Sequence, residues 1–378
     1  MVDFQRNVYC LLGLPFDAVD QAGAVKRVRD AAIRRDRCFM STPNLNFLIG
    51  CRTDAGFRDS VVHSDLSIAD GMPLVWIARA LDLPIRERVA GSDLFEQLGS
   101  DGTHPLSVYF FGGLPGIAQM ACERLNERAP GLVCAGYESP GFGSVAAMST
   151  EETIARINAS GADFVVVALG AKKGQAWIEH NRARITAPVI SHLGAVLNFV
   201  AGTVNRAPAR LQTSGLEWLW RIKEEPALWR RYFGDGLALL NLLGTRVVPY
   251  IWFLQRHRPN PGELARAAID MEEDVHRCIV RLHGAWTKQN DVPLRECFTA
   301  AARTGKDVRL EMGDVSYVDS AFVGLVMLLQ GHLQEQHRQL LVVSPQKSVQ
   351  RVFRYCCAEY LGVDSRVEGA AVNSLESA

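Results

Sequence analysis

Asp70 is the residue whose type and position best suit proton transfer. It follows the apolar residues 66–69 and precedes Gly71, with Pro73 two residues further on. This pattern predicts a carboxylate at the end of a strand, where the backbone turns sharply. A carboxylate in that position can act as a general base, and the alternative is a turn aspartate that only caps the next helix.

A second polar loop follows another predicted strand, residues 37–40. It contains Thr42, Pro43 and Asn44, whose side chains and proline leave hydrogen-bonding groups exposed at a strand end. Polar groups at strand ends are a common place for ligands to bind in α/β proteins. Thr42 and Asn44 are therefore candidate site residues together with Asp70.

Three spaced motifs resemble the start of the WecG/TagA/CpsF family of bacterial glycosyltransferases. The family pattern is a Thr-x-Asn loop, an Asp-Gly and an Arg-x-x-Gly-x-Asp. Its matches here are Thr42 and Asn44, Asp70 and Gly71, and Arg88, Gly91 and Asp93. The resemblance implies a catalytic site that contains Thr42, Asn44, Asp70 and Arg88, with Asp70 as the general base.

The activity that the resemblance implies is the transfer of one sugar in bacterial surface-polysaccharide assembly. The donor would be a UDP-sugar that carries a hexose or N-acetylhexosamine of the ManNAc, GlcNAc, ManNAcA or glucose type. The acceptor would be a polyprenyl diphosphate-linked sugar. Arg88, the turn at residues 112–116 and basic residues near the end of the family region would stabilise the leaving diphosphate.

Several glycines follow predicted strands and are candidate substrate-binding positions. Gly112 and Gly113 begin a turn between a strand at residues 106–111 and a helix, where backbone N–H groups suit a phosphate. A tight turn that needs glycine only for its geometry is an equal alternative. Gly136 begins a loop to residue 143 that is expected to cover a ligand, and Gly170 ends the apolar strand 162–170.

Residues 171–175 depart from the family pattern. Family members usually have Gly-x-Pro-Lys-Gln-Glu, whereas this chain has Lys172 for the Pro, Gly174 for the Gln and Gln175 for the Glu. Lys172 and Lys173 either meet a diphosphate or are solvated loop charges. Gln175 is the candidate for the polar role that the family Gln normally has.

The closing motif of the family is also present, so the resemblance covers about residues 8–232. It comprises residues 205–208, residues 216–221 and Pro226, although Leu228 stands where an arginine is common. Four arginines of this region are candidate phosphate-binding residues: Arg206, Arg221, Arg230 and Arg231.

The predicted fold is an α/β, doubly wound Rossmann-like catalytic domain with a C-terminal membrane-facing appendage and a small α/β STAS domain. The expected boundaries are 1–205 for the catalytic domain, 206–258 for the appendage, 259–273 for a linker, 274–366 for the STAS domain and 367–378 for a tail. Strands alternate with helices in the first domain, which predicts a parallel sheet. Its first strand is expected at residues 8–14, and the next helix at residues 17–35.

Residues 236–254 are apolar and have arginines on both sides. Gly244, Arg246 and Pro249 interrupt the apolar run, so we expect an interfacial membrane-docking segment and not a full span. A hairpin that packs on a domain or on a dimer partner is the alternative. The expected location is the cytoplasmic face of the plasma membrane, with peripheral association.

The STAS resemblance rests on Gly284 and on residues 315–320. In partner-switching members of that family, a serine at the position of Ser320 is phosphorylated, which makes Ser320 a candidate regulatory residue and predicts a STAS-binding protein. Ala321, Phe322 and Val323 replace the usual Ser-Gly-Leu. A cap of the next helix by Asp319 or Ser320 is the favoured alternative.

Composition limits the remaining possibilities. Lysine plus arginine equals aspartate plus glutamate, so no overall field attracts nucleic acid. Nine cysteines without a CxxC predict reduced thiols and no structural zinc. The sequence has no Asp-x-Asp metal motif, so we expect neither a divalent cation nor another cofactor. The first 19 residues lack a basic region and a long apolar core, so no secretory signal is expected.

Two other functions remain open. A non-catalytic scaffold would carry the STAS module to a membrane complex, and the altered residues 172–175 favour it. An oxidoreductase would use the turn at residues 112–116 for a dinucleotide, but GGLPG does not match GxGxxG. Homo-oligomerisation is compatible with each of these functions.

Overall fold

The computed structural model describes residues 2–208, 211, 215, 217–224 and 226–362. The chain forms two compact units. We call Asp17–Leu240 the large unit, and Met1–Phe16 together with Asn241–Ala378 the small unit. Each unit is described separately below.

The described strands form three sheets. In chain order they are β1 Val8–Leu11, β2 Leu14–Asp17, β3 Cys38–Ser41, β4 Leu66–Ser67, β5 Leu106–Gly112, β6 Leu132–Glu138, β7 Phe164–Ala168, β8 Val189–His192, β9 Ala268–Glu273, β10 Arg277–Trp286, β11 Asp307–Val318 and β12 Leu340–Val343.

The α-helices of the described residues follow the same order. They are α1 Gln21–Arg34, α2 Leu45–Thr53, α3 Ala55–Val62, α4 Met72–Ala80, α5 Gly91–Ser100, α6 Ile117–Arg128, α7 Glu151–Ala159, α8 Ala171–Asn181, α9 Gly194–Ala201, α10 Glu217–Glu224, α11 Trp229–Arg256, α12 Pro261–Ala265, α13 Val292–Arg303, α14 Ser320–Glu335 and α15 Lys347–Tyr355. Short polar side chains cap the N-termini of several of these helices. Asn44, for example, caps α2 by accepting a hydrogen bond from the Phe47 N–H at 3.2 Å.

The large unit is built on a six-stranded parallel sheet in the order β4-β3-β8-β7-β5-β6. Apolar side chains cover both faces of this sheet. Phe110 and Val166 belong to the core on one face, and Phe111 and Trp177 stack in the core on the other, with ring centroids 4.2 Å apart. The predicted Rossmann-like α/β class is confirmed, and the carboxyl ends of all six strands meet at one edge.

The small unit contains a four-stranded sheet in the order β12-β11-β10-β9. Strand β10 runs parallel to β11 and antiparallel to β9. Helix α14 begins after Asp319, whose side chain accepts a hydrogen bond from the Phe322 N–H at 2.9 Å. The predicted STAS-like α/β architecture is confirmed.

The N-terminal strand does not join the parallel sheet as expected. Strands β1 and β2 form a separate two-stranded sheet, and β1 packs on α14 within the small unit. A Cβ added to Gly324 of α14 would lie 2.9 Å from the Val8 carbonyl oxygen, so the two backbones are in close contact. Residues 1–16 therefore fold with the small unit, although the sequence-based boundaries place them in the first domain.

Helix α11 is continuous through the residues that interrupt the apolar run. A π-helical turn at Leu243–Val247 accommodates the chain before Pro249. This helix is long and apolar enough to cross a membrane, judged by length and composition, and 22% of its most apolar window is buried. Its exposed apolar side chains recur at helical spacing: Trp229, Phe233, Leu237, Leu240, Val248 and Trp252. We call this set the α11 stripe.

One expectation about the cysteines is wrong. Cys122 on α6 and Cys134 on β6 form a disulfide, with their Cα atoms 5.3 Å apart. No sequence motif marks this pair, because their proximity depends on how α6 packs against β6.

Candidate functional site

Asp70 and the Thr42–Asn44 loop meet at the carboxyl edge of the parallel sheet. The Asp70 N–H donates to the Pro43 carbonyl oxygen at 3.0 Å, and Gly71 lies against Asn44. The Gly91 N–H is 3.4 Å from Asp70 Oδ2, and a Cβ at Gly91 would lie 3.1 Å from Thr42 Cγ2. The first two predicted motifs and part of the third thus form one cluster.

The environment of Asp70 raises its pKa to about 6, mainly because burial penalises the carboxylate. The positive charges of Arg88 and Arg221 oppose this effect, whereas the carboxylate of Glu217 adds to it. A carboxyl group with this pKa is largely ionised at neutral pH and is a stronger base than an ordinary aspartate. Such a value suits general-base catalysis.

Arg88 lies between two carboxylates. Its Nη1 atom is 2.6 Å from Glu217 Oε2, and its Nη2 atom is 3.0 Å from Asp93 Oδ2. Arg206 binds the other oxygen of Asp93 and also Glu96. Arg88 and Arg206 therefore join α10 and the chain after α9 to α5, so both hold the surroundings of Asp70 in place.

A cavity of about 480 Å³ with both polar and apolar lining opens next to this cluster. Its floor contains the ends of three neighbouring strands, represented by Gly113, Gly170 and Gly194. Its charged lining residues are Lys173, Glu217, Arg221, Glu224 and Arg231, and its aromatic ones are Phe142, Phe199 and Trp220. Glu217 and Arg221 also act electrostatically on Asp70, so they connect the cavity to the carboxylate.

The predicted glycines have different roles. Gly113 and Gly170 line the cavity, whereas Gly112 and Gly136 are not among the lining residues. Gly112 has φ +119°, and a Cβ there would lie within 2.4 Å of the Ala168 carbonyl oxygen, so that turn needs glycine for its geometry. Gly136 lies against the ring of Tyr109.

The three candidate residues after β7, Lys172, Lys173 and Gln175, also have different environments. Lys173 lines the cavity and donates to the Gly143 carbonyl oxygen at 3.1 Å, which connects α8 to the loop after β6. Lys172 is exposed and pairs with Asp54. Gln175 is fully buried below the site, where its Nε2 atom is 2.8 Å from Ser41 Oγ.

Two predicted arginines near the start of α11 are exposed. Arg231 lines the cavity, whereas Arg230 is not among the lining residues and lies 5.7 Å from the centre of the Trp229 ring.

Sequence reasoning missed Glu217 and Trp220 as site residues. Their signal is present in the motif at residues 216–221, in which Glu217 precedes Arg221 by one helical turn and pairs with it at 3.4 Å.

Ser320 lies in the small unit and is buried. Its hydroxyl donates to the Cys10 carbonyl oxygen at 2.7 Å, while Asp319 caps α14. In this conformation the Ser320 hydroxyl is covered by the N-terminal strand. The arrangement agrees with the favoured helix-cap interpretation for Asp319.

Two family models match parts of this chain. Residues 9–250 match the model of the Glycosyl transferase WecG/TagA/CpsF family, and residues 269–359 match the family model "Mlab, STAS domain". Both resemblances found in the sequence are thereby confirmed.

Two curated relatives are named N-acetylglucosaminyldiphosphoundecaprenol N-acetyl-beta-D-mannosaminyltransferase. The one from Bacillus spizizenii is 30% identical over 194 residues, which cover 49% of this chain and 74% of the relative. The one from Bacillus subtilis is 26% identical over 205 residues, which cover 54% of this chain and 78% of the relative.

Among solved structures, the unphosphorylated anti-sigma factor antagonist SpoIIAA matches 29% of this chain and 98% of its own length. It is 21% identical, with a TM-score of 0.25. The family model for the glycosyltransferases, in contrast, covers most of the chain and includes the whole cluster around Asp70. The chain therefore belongs to the WecG/TagA/CpsF family of glycosyltransferases and carries a C-terminal STAS domain.

Proposed function

We propose that this protein transfers a hexose or N-acetylhexosamine from a UDP-sugar to a polyprenyl diphosphate-linked sugar during assembly of a bacterial surface polysaccharide. The names of the two curated relatives support the acceptor class and favour N-acetylmannosamine as the sugar. The observation that carries the proposal is Asp70, a base of raised pKa whose electrostatic environment includes Glu217 and Arg221 of the cavity lining.

Asp70 acts as the general base in this proposal. It takes the proton of the acceptor hydroxyl while that oxygen forms a bond to the anomeric carbon of the donor sugar. The bond between the anomeric carbon and the diphosphate oxygen breaks, and UDP leaves with the electron pair. Thr42 and Asn44 hold the loop against Asp70, and Arg88 keeps Glu217 and Asp93 in place around it.

The cavity supplies charge for the leaving diphosphate. Lys173, Arg221 and Arg231 line it with positive groups, and Gly170 places the N-terminus of α8 at its wall. Arginine forms bidentate hydrogen bonds with phosphate oxygens, which suits Arg221 and Arg231 for this task. With these cations in place, we expect transfer without an obligatory divalent metal.

Membrane association follows from the α11 stripe in this proposal. The helix exposes Trp229, Phe233, Leu237 and Leu240 in the large unit and Val248 and Trp252 in the small unit, while Arg230, Arg231 and Arg256 supply positive charge near its ends. An amphipathic helix of this kind lies in the interface of an anionic bilayer. The expected location is therefore the cytoplasmic face of the plasma membrane.

A donor and acceptor screen tests the proposed function. UDP-linked sugars are incubated with a short-chain lipid diphosphate N-acetylglucosamine, with and without EDTA, and the lipid product is read by mass. One donor should add one sugar mass in both conditions. If no donor reacts and no UDP is released, the scaffold function is favoured instead.

A further inference from the structure

A second cavity, of about 410 Å³, lies between helices α5, α6 and α9 of the large unit. We call it the α5–α9 groove. Most of its accessible surface is apolar, and its large apolar lining residues are Phe95, Leu125, Leu132, Val196, Phe199 and Val200. Its volume falls within the range of roughly 300–1,000 Å³ that sites for small organic ligands occupy. A groove of this size and lining suits a ligand with an apolar chain.

One face of α5 forms the length of the groove. Five residues of this helix line it, at intervals of one, three and four residues: Ser92, Phe95, Glu96, Gly99 and Ser100. This spacing places them on one side of the helix. From Ser92 to Ser100 the helix rises about 12 Å, at about 1.5 Å per residue. The groove is therefore long enough along α5 to hold part of an extended hydrocarbon chain.

The start of α5 joins the groove to the candidate catalytic site. Ser92 lines the groove, and the N–H of the preceding residue, Gly91, is 3.4 Å from Asp70 Oδ2. Phe199 of α9 lines both the groove and the cavity described above. The groove thus begins next to Asp70 and shares a wall with the cavity in which the donor diphosphate is proposed to bind.

Cations also line the groove. Its three arginines are Arg124, Arg128 and Arg206. Arg206 is paired with Asp93 and Glu96, whereas the Arg128 side chain is exposed. An arginine side chain presents apolar methylene groups along its length and a positive charge at its tip. An apolar groove with such residues in its wall matches an anionic amphiphile better than a neutral hydrocarbon.

We propose that the α5–α9 groove binds the first isoprene units of the polyprenyl chain of the acceptor. Of the two substrates in the proposed function, only the acceptor joins a hydrocarbon chain to a diphosphate. A chain held in the groove keeps the acceptor sugar near Asp70 while the neighbouring cavity holds the donor. Burial of the chain against apolar side chains supplies affinity that does not depend on the sugar. The inference rests on the proposed function for the identity of the acceptor.

Binding of two isoprenoid diphosphates tests the site without an activity assay. Farnesyl diphosphate and dimethylallyl diphosphate have the same head group, but the farnesyl chain is longer. The wild type should bind farnesyl diphosphate about tenfold more tightly or better, because the longer chain buries more apolar surface. Equal affinity of the wild type for the two compounds would overturn the proposal.

Variants of Val200 locate the chain. Val200→Asp places a charge in the groove and should weaken farnesyl diphosphate binding about tenfold, while changing dimethylallyl diphosphate and UDP binding by less than about twofold. Val200→Trp fills the groove without adding a charge and should have the same effect. Val200 is only half-buried, so the larger side chain has room to extend into the groove.

Met120→Asp is the matched control. Met120 is an exposed apolar position of α6 that is not among the lining residues of either cavity. This variant should bind both isoprenoid diphosphates like the wild type. Wild-type affinity for farnesyl diphosphate in a Val200 variant that melts like the wild type, or equal weakening of both compounds, would contradict the proposal.

The same variants separate two other occupants of the groove. If the groove were a contact between two copies of the chain, Val200→Asp would lower the molecular mass in solution and leave farnesyl diphosphate affinity unchanged. If it accepted any membrane lipid, dihexanoyl phosphatidylglycerol would compete with farnesyl diphosphate at equal concentration. Either result would overturn the proposal.

The outcome is separable from that of the proposed function. A wild type that transfers no sugar, with farnesyl diphosphate binding weakened in the Val200 variants, would contradict the proposed transfer and support the groove as an isoprenoid site. A wild type that transfers sugar, with both Val200 variants equal to it in KM for long-chain and short-chain acceptors, would contradict the groove alone.

Discussion

At the scale of single residues, the raised pKa of Asp70 connects activity to stability. The folded protein holds the Asp70 proton more tightly than the unfolded chain, so ionising Asp70 costs stability as pH rises from about 4 to about 6. Asp70→Asn removes that cost. The variant should therefore melt at a higher temperature than the wild type at pH 7, and the difference should disappear below about pH 4. Thermal melts across this range would contradict the raised pKa if the variant were less stable at pH 7.

Glu217 gives a second prediction with a definite sign. The Glu217 carboxylate raises the pKa of Asp70, so the acid limb of the wild-type kcat/KM profile should lie near pH 6. Glu217→Gln should move this acid limb to lower pH. Loss of the Arg88 contact should also lower kcat. Glu96→Gln is the matched control, because Glu96 pairs with Arg206 and is more exposed. An unchanged acid limb in Glu217→Gln would contradict the electrostatic effect of Glu217 on the pKa of Asp70.

Short motifs reveal Asp70, Thr42 and Asn44 because each motif lies within a few residues of chain. The partners of Arg88 are harder to predict, since Glu217 lies 129 residues away in sequence.

At the scale of elements, α11 shows where sequence patterns are insufficient. Arg246 and Pro249 interrupt the apolar run but not the helix, which contains a π-helical turn at Leu243–Val247, and Arg246 pairs with Glu359 at 2.7 Å in the small unit. Tyr250 and Phe253 are buried, and the Phe253 ring stacks on Tyr317 with centroids 6.2 Å apart. One face of the helix is therefore packed within the small unit, as part of a continuous helix and not as the hairpin of the sequence-based alternative.

The exposed face gives the prediction for membranes. The double variant Phe233→Ser, Trp252→Ser should reduce flotation with anionic phosphatidylglycerol vesicles by about tenfold at low salt, because each aromatic ring contributes apolar area to the interface. Leu341→Ser, an exposed apolar position on β12, is the control and should float like the wild type. Failure of the wild type to float would favour an oligomer contact for the α11 stripe.

At the scale of the whole molecule, the chain order differs from the order of folded units. Residues 2–16 fold with the small unit, before the large unit begins in sequence. The buried Arg295 donates to the Arg6 carbonyl oxygen at 2.7 Å, and the Phe4 ring contacts Phe298 edge-on. Composition and periodicity identify β1 as a strand but not its partner, because its contacts lie about 300 residues away.

This arrangement predicts complementation between fragments. A fragment of residues 241–362 should be poorly stable alone, since Ser320 and Arg295 would lose buried acceptors, each worth about 1–3 kcal/mol. A synthetic peptide of residues 2–16 should raise its melting temperature by several degrees, whereas a scrambled peptide should not. Equal melting temperatures with either peptide would contradict the role of residues 2–16 in the small unit.

The central claim is that Asp70 takes the acceptor proton in sugar transfer to a lipid diphosphate. The most direct measurement compares the wild type and Asp70→Asn by mass analysis of the lipid product, with UDP affinity measured on the same preparations. We predict one added sugar with the wild type, about a 10²-fold or greater loss of turnover in Asp70→Asn, and equal UDP affinity. Near-normal turnover by folded Asp70→Asn would contradict the claim.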